Sequence, residues 1–388
     1  MTEPGELPLL ERDRFHGLDA TTFLYTGAHS PALHAVEEAM VAAYRQKSRG
    51  VDGRDVLFGW EERTRSALAS LADRTAPEVG LLGDASTAWS SIANGWRWRP
   101  GDNVVVNEYE HPAVFAPFLR LRAEGLEVRV AARNGDWEMP AERILELCDE
   151  RTVAVGLSHV GYVTGLRHDL SEIGRPLAER GIPLLVDVSH SLGVVAVDLE
   201  YASLAVSASY KWLLGPYGVG AVFWNRERLP DFRPGAVGWR SLADIFSERR
   251  FEELNWNADA TRFQMGAPAL ADIAGLGVGA ETILDIGVER VQAHALALTA
   301  EAMRGLEALG LDVLTPSPAA RRAGNIAFVH PDGEGVSRRL AAQDVLVWGG
   351  DGRVRASFHV MNDRRDVQIL LDAVAQDLRT HPMSGASS

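Results

Sequence analysis

Cysteine is nearly absent from this sequence. Its 388 residues carry one, Cys148, which excludes an internal disulfide framework and suits a reducing cytosol. Long uncharged apolar runs are missing too, although 46% of the chain is hydrophobic, so no membrane span is expected. The first ten residues, MTEPGELPLL, lack a basic segment ahead of an apolar one and do not read as a secretory signal. Basic residues are outnumbered, 39 Lys and Arg against 53 Asp and Glu, for a net charge of −14. That balance disfavours nucleic acid and anionic membrane as partners. It leaves a small substrate open, because a local basic site fits within an acidic protein. No metal-ligand spacing, nucleophile elbow or internal repeat is found, and only the tail 384–388 is of low complexity.

What is there is strand–helix alternation, in a chain longer than one average domain. Residues 1–20 lack periodicity and read as an arm. After a short strand over 23–28, helices are predicted over 31–46 and 60–74. Strands over 79–83, 103–107, 127–132, 152–160 and 183–188 then alternate with helices over 88–96, 113–122 and 169–180. This order predicts a mostly parallel sheet with helices on both faces, an α/β fold. The alternation fades after Trp224, where 230–250 reads as loop and 269–308 as long helical pattern. Gly275-Leu276-Gly277-Val278-Gly279-Ala280 fits a dinucleotide fingerprint, but no strand precedes it, so helix packing is the better account of its glycines. Strands over 325–330, 345–348 and 353–359 with helices over 335–343 and 363–378 make a small α+β unit, its last helix capped by Asn362 or Asp363.

Chemistry concentrates where two buried-strand runs end. The run 204–209 stops at Tyr210-Lys211-Trp212, and 218–224 follows as a second apolar strand. A lysine at the mouth of such strands is poorly hydrated, which lowers its pKa toward the nucleophilic amine a Schiff base needs. Alone, it equally reads as a strand-end lysine that snorkels to water. The preceding strand, 183–188, ends on Asp187, 24 residues earlier, followed by Ser189 and His190. A strand-end carboxylate next to that lysine could hold a pyridine nitrogen protonated, or serve as a turn acid.

Asp187-x-x-His190 followed by Tyr210-Lys211-Trp212-Leu213-Leu214-Gly215-Pro216 resembles the class V aminotransferase family of fold-type I pyridoxal-phosphate enzymes. That family includes cysteine desulfurases, selenocysteine lyases, kynureninases and epimerases related to isopenicillin N epimerase. The likeness runs from about Leu24 to about Leu371. It implies a fold-type I α/β architecture: an arm over 1–20, a large cofactor-binding domain over 21–260 with a mostly parallel seven-stranded type of sheet, and a small C-terminal α+β domain over 261–388, entered by a connecting helix from about 269. It implies pyridoxal 5'-phosphate as cofactor, with Lys211 as Schiff-base lysine, Asp187 on the ring nitrogen and His190 near the phenolic oxygen. The phosphate would lie on Ala85, Ser86 and Thr87, a hydroxyl-bearing helix start that otherwise reads as an ordinary cap, and on Ser209 and Tyr210.

Other motifs follow in the family's order. His111 resembles the histidine that stacks on the ring, though by itself it reads as a loop histidine. Ser158-His159-Val160-Gly161-Tyr162-Val163-Thr164-Gly165 resembles the Ser-His-Val-x-Asn-x-x-Gly run, with Tyr162 where desulfurases carry asparagine. Gly266 and Ala267 stand in a run that usually reads Gly-Thr-Pro and reaches the partner subunit's phosphate, which implies a homodimer with shared active sites. Arg355 in Arg-x-Ser would fork onto the substrate carboxylate. The alternation of Arg353 and Arg355 also fits a merely solvated strand face. His29 and Trp239-Arg240 are loop residues suited either to substrate selection or to packing.

Fold does not fix the reaction. The stretch 345–355 carries no mobile cysteine ahead of the arginine motif, and Cys148 reads as a packed residue, which argues against desulfurase chemistry. The reading is a cytoplasmic enzyme acting on the α carbon of an amino acid through an external aldimine, transamination first. A C–C or C–S lyase or an epimerase is the alternative, and a catalytically silent cofactor-binding protein is the reading from another class.

Overall fold

The structure, a computed structural model, describes residues 3–133, 135 and 137–382. In chain order its elements are β1 (Thr22–Phe23), α1 (His34–Arg45), α2 (Gly50–Leu71), β2 (Val79–Leu82), α3 (Ala85–Gly95), β3 (Asn103–Asn107), α4 (Pro112–Arg120) and β4 (Glu127–Ala131). There follow α5 (Ala141–Leu145), β5 (Thr152–Ser158), α6 (Leu170–Glu179), β6 (Leu184–Asp187), β7 (Ala202–Ala208) and β8 (Gly220–Trp224). The remainder comprises α7 (Leu270–Ile286), α8 (Val288–Ala308), β9 (Asn325–Val329), α9 (Gly333–Ala341), β10 (Val345–Leu346), β11 (Trp348–Gly350), β12 (Arg353–Ser357) and α10 (Arg364–Thr380).

Seven strands form the central sheet in the order β2-β8-β7-β6-β5-β3-β4. Strands β7, β6, β5, β3 and β4 run parallel, and β8 is antiparallel to both its neighbours. The inner strands β6 and β7 are buried at every residue, which is why they read as continuous apolar runs rather than alternating ones. One face packs Leu185, Val206 and Val222 against Trp89 and Ile92 of α3 and Phe118 of α4. The other packs Val155, Val186 and Ala205 in a core that also takes in Leu68, Ile273 and Leu276 of the outer helices α2 and α7. The mostly parallel α/β sheet is therefore as the sequence pattern predicted.

The C-terminal sheet, β11-β12-β9, is antiparallel and shares a core with Leu298, Leu340 and Leu370 of α8, α9 and α10. The structure differs from the predicted elements in four places. The strand over 23–28 shrinks to β1, which pairs in parallel with β10 at the far end of the chain, Thr22 opposite Val345. The second helix begins at Gly50, ten residues before the pattern showed it, since three glycines in its first turns blurred the apolar period. The long pattern over 269–308 breaks at Gly287, whose φ of +92° lies where only glycine sits without strain. The strand over 345–348 divides into β10 and β11. The cap of the last helix is Asp363, which accepts from the amides of Arg365 and Asp366.

Candidate active site

Three strands deliver the site. Ser158, Asp187 and Ala208 end β5, β6 and β7 at their carboxyl edge, where open parallel sheets collect ligands. Asp187 is 7% exposed. Its Oδ1 accepts the Ser189 amide at 2.9 Å, and its Oδ2 accepts the indole N–H of Trp89 at 2.9 Å. Trp89 is fully buried on α3, so one carboxylate oxygen is aimed by the turn and the other by the helix above it.

Lys211 follows three residues after β7. Burial brings its pKa down to about 8; the positive Arg355 acts in the same direction, and Asp187 opposes them. Its Nζ lies 3.1 Å from Nε2 of His190. The other ring nitrogen, Nδ1, lies 2.8 Å from the side-chain amide Nδ2 of Asn325, and Oδ1 of that asparagine accepts from Ser357 Oγ at 2.8 Å. With its oxygen facing the serine hydroxyl, Asn325 presents N–H to His190, so Nδ1 is the acceptor and the ring proton sits on Nε2. Burial holds the pKa of His190 well below the usual histidine value, with the charges of Lys211 and Arg355 adding to the effect. The imidazole is neutral and offers its proton toward the lysine nitrogen. Asn325 was not singled out by sequence. It opens β9, 135 residues from its partner, and no local pattern marks it.

Arg355 is buried beneath this network and donates from Nη1 to the Tyr162 carbonyl at 2.9 Å, while its Nε is buried without a hydrogen-bond partner among the described residues. Gly27 lies beside it; a Cβ there would come within 2.6 Å of Asn325 Oδ1 and 2.7 Å of Ser357 Oγ. The Tyr162 ring meets His111 edge-on, with centroids 5.2 Å apart. Arg353 is 5% and Arg355 3% exposed. The solvated-face reading of this strand is thus overturned, because β12 is the middle strand of its sheet and the Tyr162 loop folds over it.

At the other end, Asp84 caps α3, accepting from the Thr87 amide at 2.6 Å and its hydroxyl at 3.0 Å. Thr87 is thereby turned to the cap, and the hydroxyl left exposed at the helix start is that of Ser86. The first-turn amides, Ala85 among them, have no intrahelical acceptor. Ser209 Oγ donates to the Pro216 carbonyl, and the Tyr210 ring stacks on Tyr217 at 4.3 Å. Gly266 and Ala267 line a cavity with Gly83 and Gly218 of the same chain, one residue from the α3 cap. His29 packs edge-on against Tyr25 at 5.1 Å. Arg240 is ion-paired to the buried Glu61 at 2.6 Å and bonded to Gln264, which accounts for it as packing. Trp239 stays 53% exposed.

A second group escaped the sequence reading. Glu110 is buried at the head of α4 and accepts from Ser158 Oγ at 2.6 Å and Ser158 N at 2.9 Å. Burial pushes its carboxyl up to about 7, against the pull of the Ser158 hydrogen bonds, with the negative Asp187 adding to the rise.

Cys148 is 8% exposed and donates to the Ile144 carbonyl. It precedes the amino end of β5, whereas the lysine and aspartate lie at the carboxyl edge of the sheet. Burial raises its thiol pKa, so it is not poised as a thiolate. The lysine and aspartate at adjacent strand ends, the helix start and the buried guanidinium with a free N–H together fit a cofactor that joins a pyridine ring, an aldehyde and a phosphate.

Three comparisons bear on this arrangement. The family model described as Aminotransferase class-V matches residues 22–370. A probable cysteine desulfurase of Methanothermobacter thermautotrophicus is 28% identical over 329 residues, covering 80% of this chain and 81% of its own length. A solved structure of C-DES with glycine covalently linked to its PLP cofactor superposes with a TM-score of 0.86 at 22% identity, over 94% of this chain and 99% of that one. The cystine C–S lyase C-DES in complex with its product, cysteine persulfide, gives 0.85 at 23% identity, over 93% and 99%.

Proposed function

The chain belongs to the aminotransferase class-V family, and within it we propose a pyridoxal-phosphate lyase that cleaves the C–S bond of a cysteine-derived amino acid. This replaces transamination as the leading reading. Its relatives carry the names of desulfurases and a C–S lyase, which support the lyase alternative. The observation that carries the reading is the location of Cys148. A thiol at the wrong edge of the sheet takes no sulfur from the site, so sulfur leaves on the small-molecule product.

Bound at the site, the cofactor supplies an electron sink for the pair left at the substrate α carbon. Asp187, held by Trp89 and Ser189, is placed to keep a ring nitrogen charged. Ala85 and Ser86, with Ser209 and Tyr210, supply the phosphate end, and His111 the ring's face. Arg355 receives the α-carboxylate through a guanidinium whose Nε is still free. Lys211, with a pKa of about 8 and a neutral His190 beside it, takes a proton from the α carbon as base and returns one as acid. Overall R–S–CH2–CH(NH3+)–COO− and water become R–SH, pyruvate and ammonium.

We read the chain as an arm over 1–20, a cofactor-binding domain over 21–260 and a small domain over 261–388, working in the cytosol as a homodimer with shared sites. Exposed apolar side chains support the dimer: Tyr44 (64%), Val51 (64%), Trp239 (53%), Phe246 (84%) and Phe251 (89%). The test of function is a panel of S-substituted cysteines and cystine with the holoprotein, assayed for pyruvate and for the cofactor's absorption. Stoichiometric pyruvate with the cofactor spectrum restored after each turnover is the expected result. Accumulation of the pyridoxamine form with a sulfur-bearing keto acid would return the assignment to transamination.

A further inference from the structure

Arg353 and Arg355 lie two residues apart on β12, so their side chains leave the same face of the strand. Both are more than nine-tenths buried. Two cations on one buried face repel: burial first, and Arg353 second, bring the pKa of Arg355 down to about 10. Arg355 has the Tyr162 carbonyl to offset this. Arg353 has less. Its Nη1 lies 3.5 Å from both Oδ2 and the carbonyl of Asp351, beyond the usual N–H···O length, and the Asp351 side chain is 70% exposed. Its Nε and Nη2 are buried with no hydrogen-bond partner among the described residues.

The surroundings of this guanidinium are aromatic. It lies 4.8 Å from the ring centre of Trp348 and 5.4 Å from that of Tyr162, whose edge meets His111. Ring faces attract a cation, yet they leave the in-plane N–H donors unused. Buried polar groups in folded proteins are nearly always paired, and an unpaired buried charge is costly. Two donors of Arg353 therefore point to an acceptor that comes from outside the chain.

We propose that Arg353 is a second anion-binding residue of the active site, and that the substrate bears a second carboxylate, on its sulfur-linked leaving group, which Arg353 receives while Arg355 holds the α-carboxylate. The proposal rests on the lyase reading for the position of the leaving group, not for the existence of the subsite. It narrows the substrate class to thioether, sulfoxide or disulfide amino acids whose departing thiol is itself an acid. A substrate with an apolar leaving group would leave these two buried donors as unpaired as they are in the free chain, and so forgoes the contact that a second carboxylate gains.

Calorimetry on the holoprotein with non-reacting acids tests the subsite apart from turnover. Glutarate and adipate supply two carboxylates; pentanoate and hexanoate supply one at the same chain lengths. The wild type should bind the diacids roughly tenfold or more tightly than the monoacids, the range expected for one charge-assisted contact. Arg353→Gln should erase that gap while leaving monoacid affinity in place. Arg353→Lys, which keeps the charge without the planar fork, should narrow the gap and serves if the glutamine variant does not fold. Equal affinities in the wild type, or an undiminished gap in Arg353→Gln, would overturn the proposal. Pyruvate release is scored separately: a diacid gap without pyruvate from any sulfur amino acid sinks the lyase reading and leaves the subsite, and pyruvate without a gap does the reverse.

Discussion

The two ends of the site are built on opposite plans. At the lysine end the donors and acceptors are matched: Ser357 to Asn325, Asn325 to His190, His190 to Lys211, Trp89 and Ser189 to Asp187. At the arginine end, Arg353 and Arg355 are as deeply buried, yet three of their side-chain nitrogens have no acceptor among the described residues. A satisfied network fixes orientation and protonation before substrate arrives. An unsatisfied one is completed by the ligand. The contrast separates chemistry from selection: the lysine end is the same for every substrate, and the arginine end decides which substrate is admitted.

The strongest way to break that division is to remove the lysine. Lys211→Ala should reduce turnover on the order of a thousandfold or more, since it deletes the proton carrier. Diacid binding at the arginine end should persist, and calorimetry on the variant measures it. Loss of both would mean that the two ends are one cooperative unit.

A smaller effect sharpens the comparison. Asn325→Ala frees His190 to move its proton to Nδ1, which turns Nε2 from a donor into an acceptor facing Lys211. An acceptor favours the ammonium form, so the lysine pKa should rise above about 8. Reloading of the cofactor into stripped protein requires the neutral amine, so it quickens as pH climbs through that value. The variant's midpoint should therefore lie at higher pH, and a midpoint higher by about one pH unit slows reloading at neutral pH roughly tenfold. An unmoved midpoint would show that Asn325 supports the fold and does not set the tautomer.

These two ends also differ in how far the sequence displays them. Asp187 ends one fully buried strand and Lys211 follows three residues after another, and an apolar run stopping near a charge is visible in any window of about ten residues. Their supports are not: Trp89 is 98 residues from Asp187, and Asn325 is 135 from His190. Such pairs depend on which helix crosses which strand end, a property of tertiary packing. The seven-stranded sheet was legible because each strand carries its own signal. The pairing of β1 with β10 was not, since two-residue strands carry no period to read. Alternation placed Arg353 and Arg355 on one face but could not say whether that face was covered. Glu110 was hidden for a related reason, as its raised pKa comes from its burial in the folded chain, where it meets Ser158 at the end of β5, 48 residues away.

The least perturbing substitution carries the sharpest consequence for the sulfur. Cys148→Ser replaces a buried thiol by a hydroxyl of nearly the same shape, and the Ile144 carbonyl that accepts from Sγ is there to accept from the new oxygen. The stability cost should stay within about 1 kcal/mol, because the hydroxyl is not left unpaired. Cys148 sits ahead of the amino end of β5, and that seven-residue strand spans roughly 20 Å to the edge where Lys211 lies. A side chain that far from the leaving sulfur cannot accept it without unpacking the α5–β5 turn, whose thiol is in any case held protonated by burial. Sulfur and pyruvate release by the variant should therefore match the wild type within about twofold, a difference of less than about 0.5 kcal/mol in barrier. Folded Cys148→Ser protein that still bound cofactor but released no sulfur would mean that the thiol travels to the site during turnover, and the lyase reading would yield to sulfur transfer through the protein.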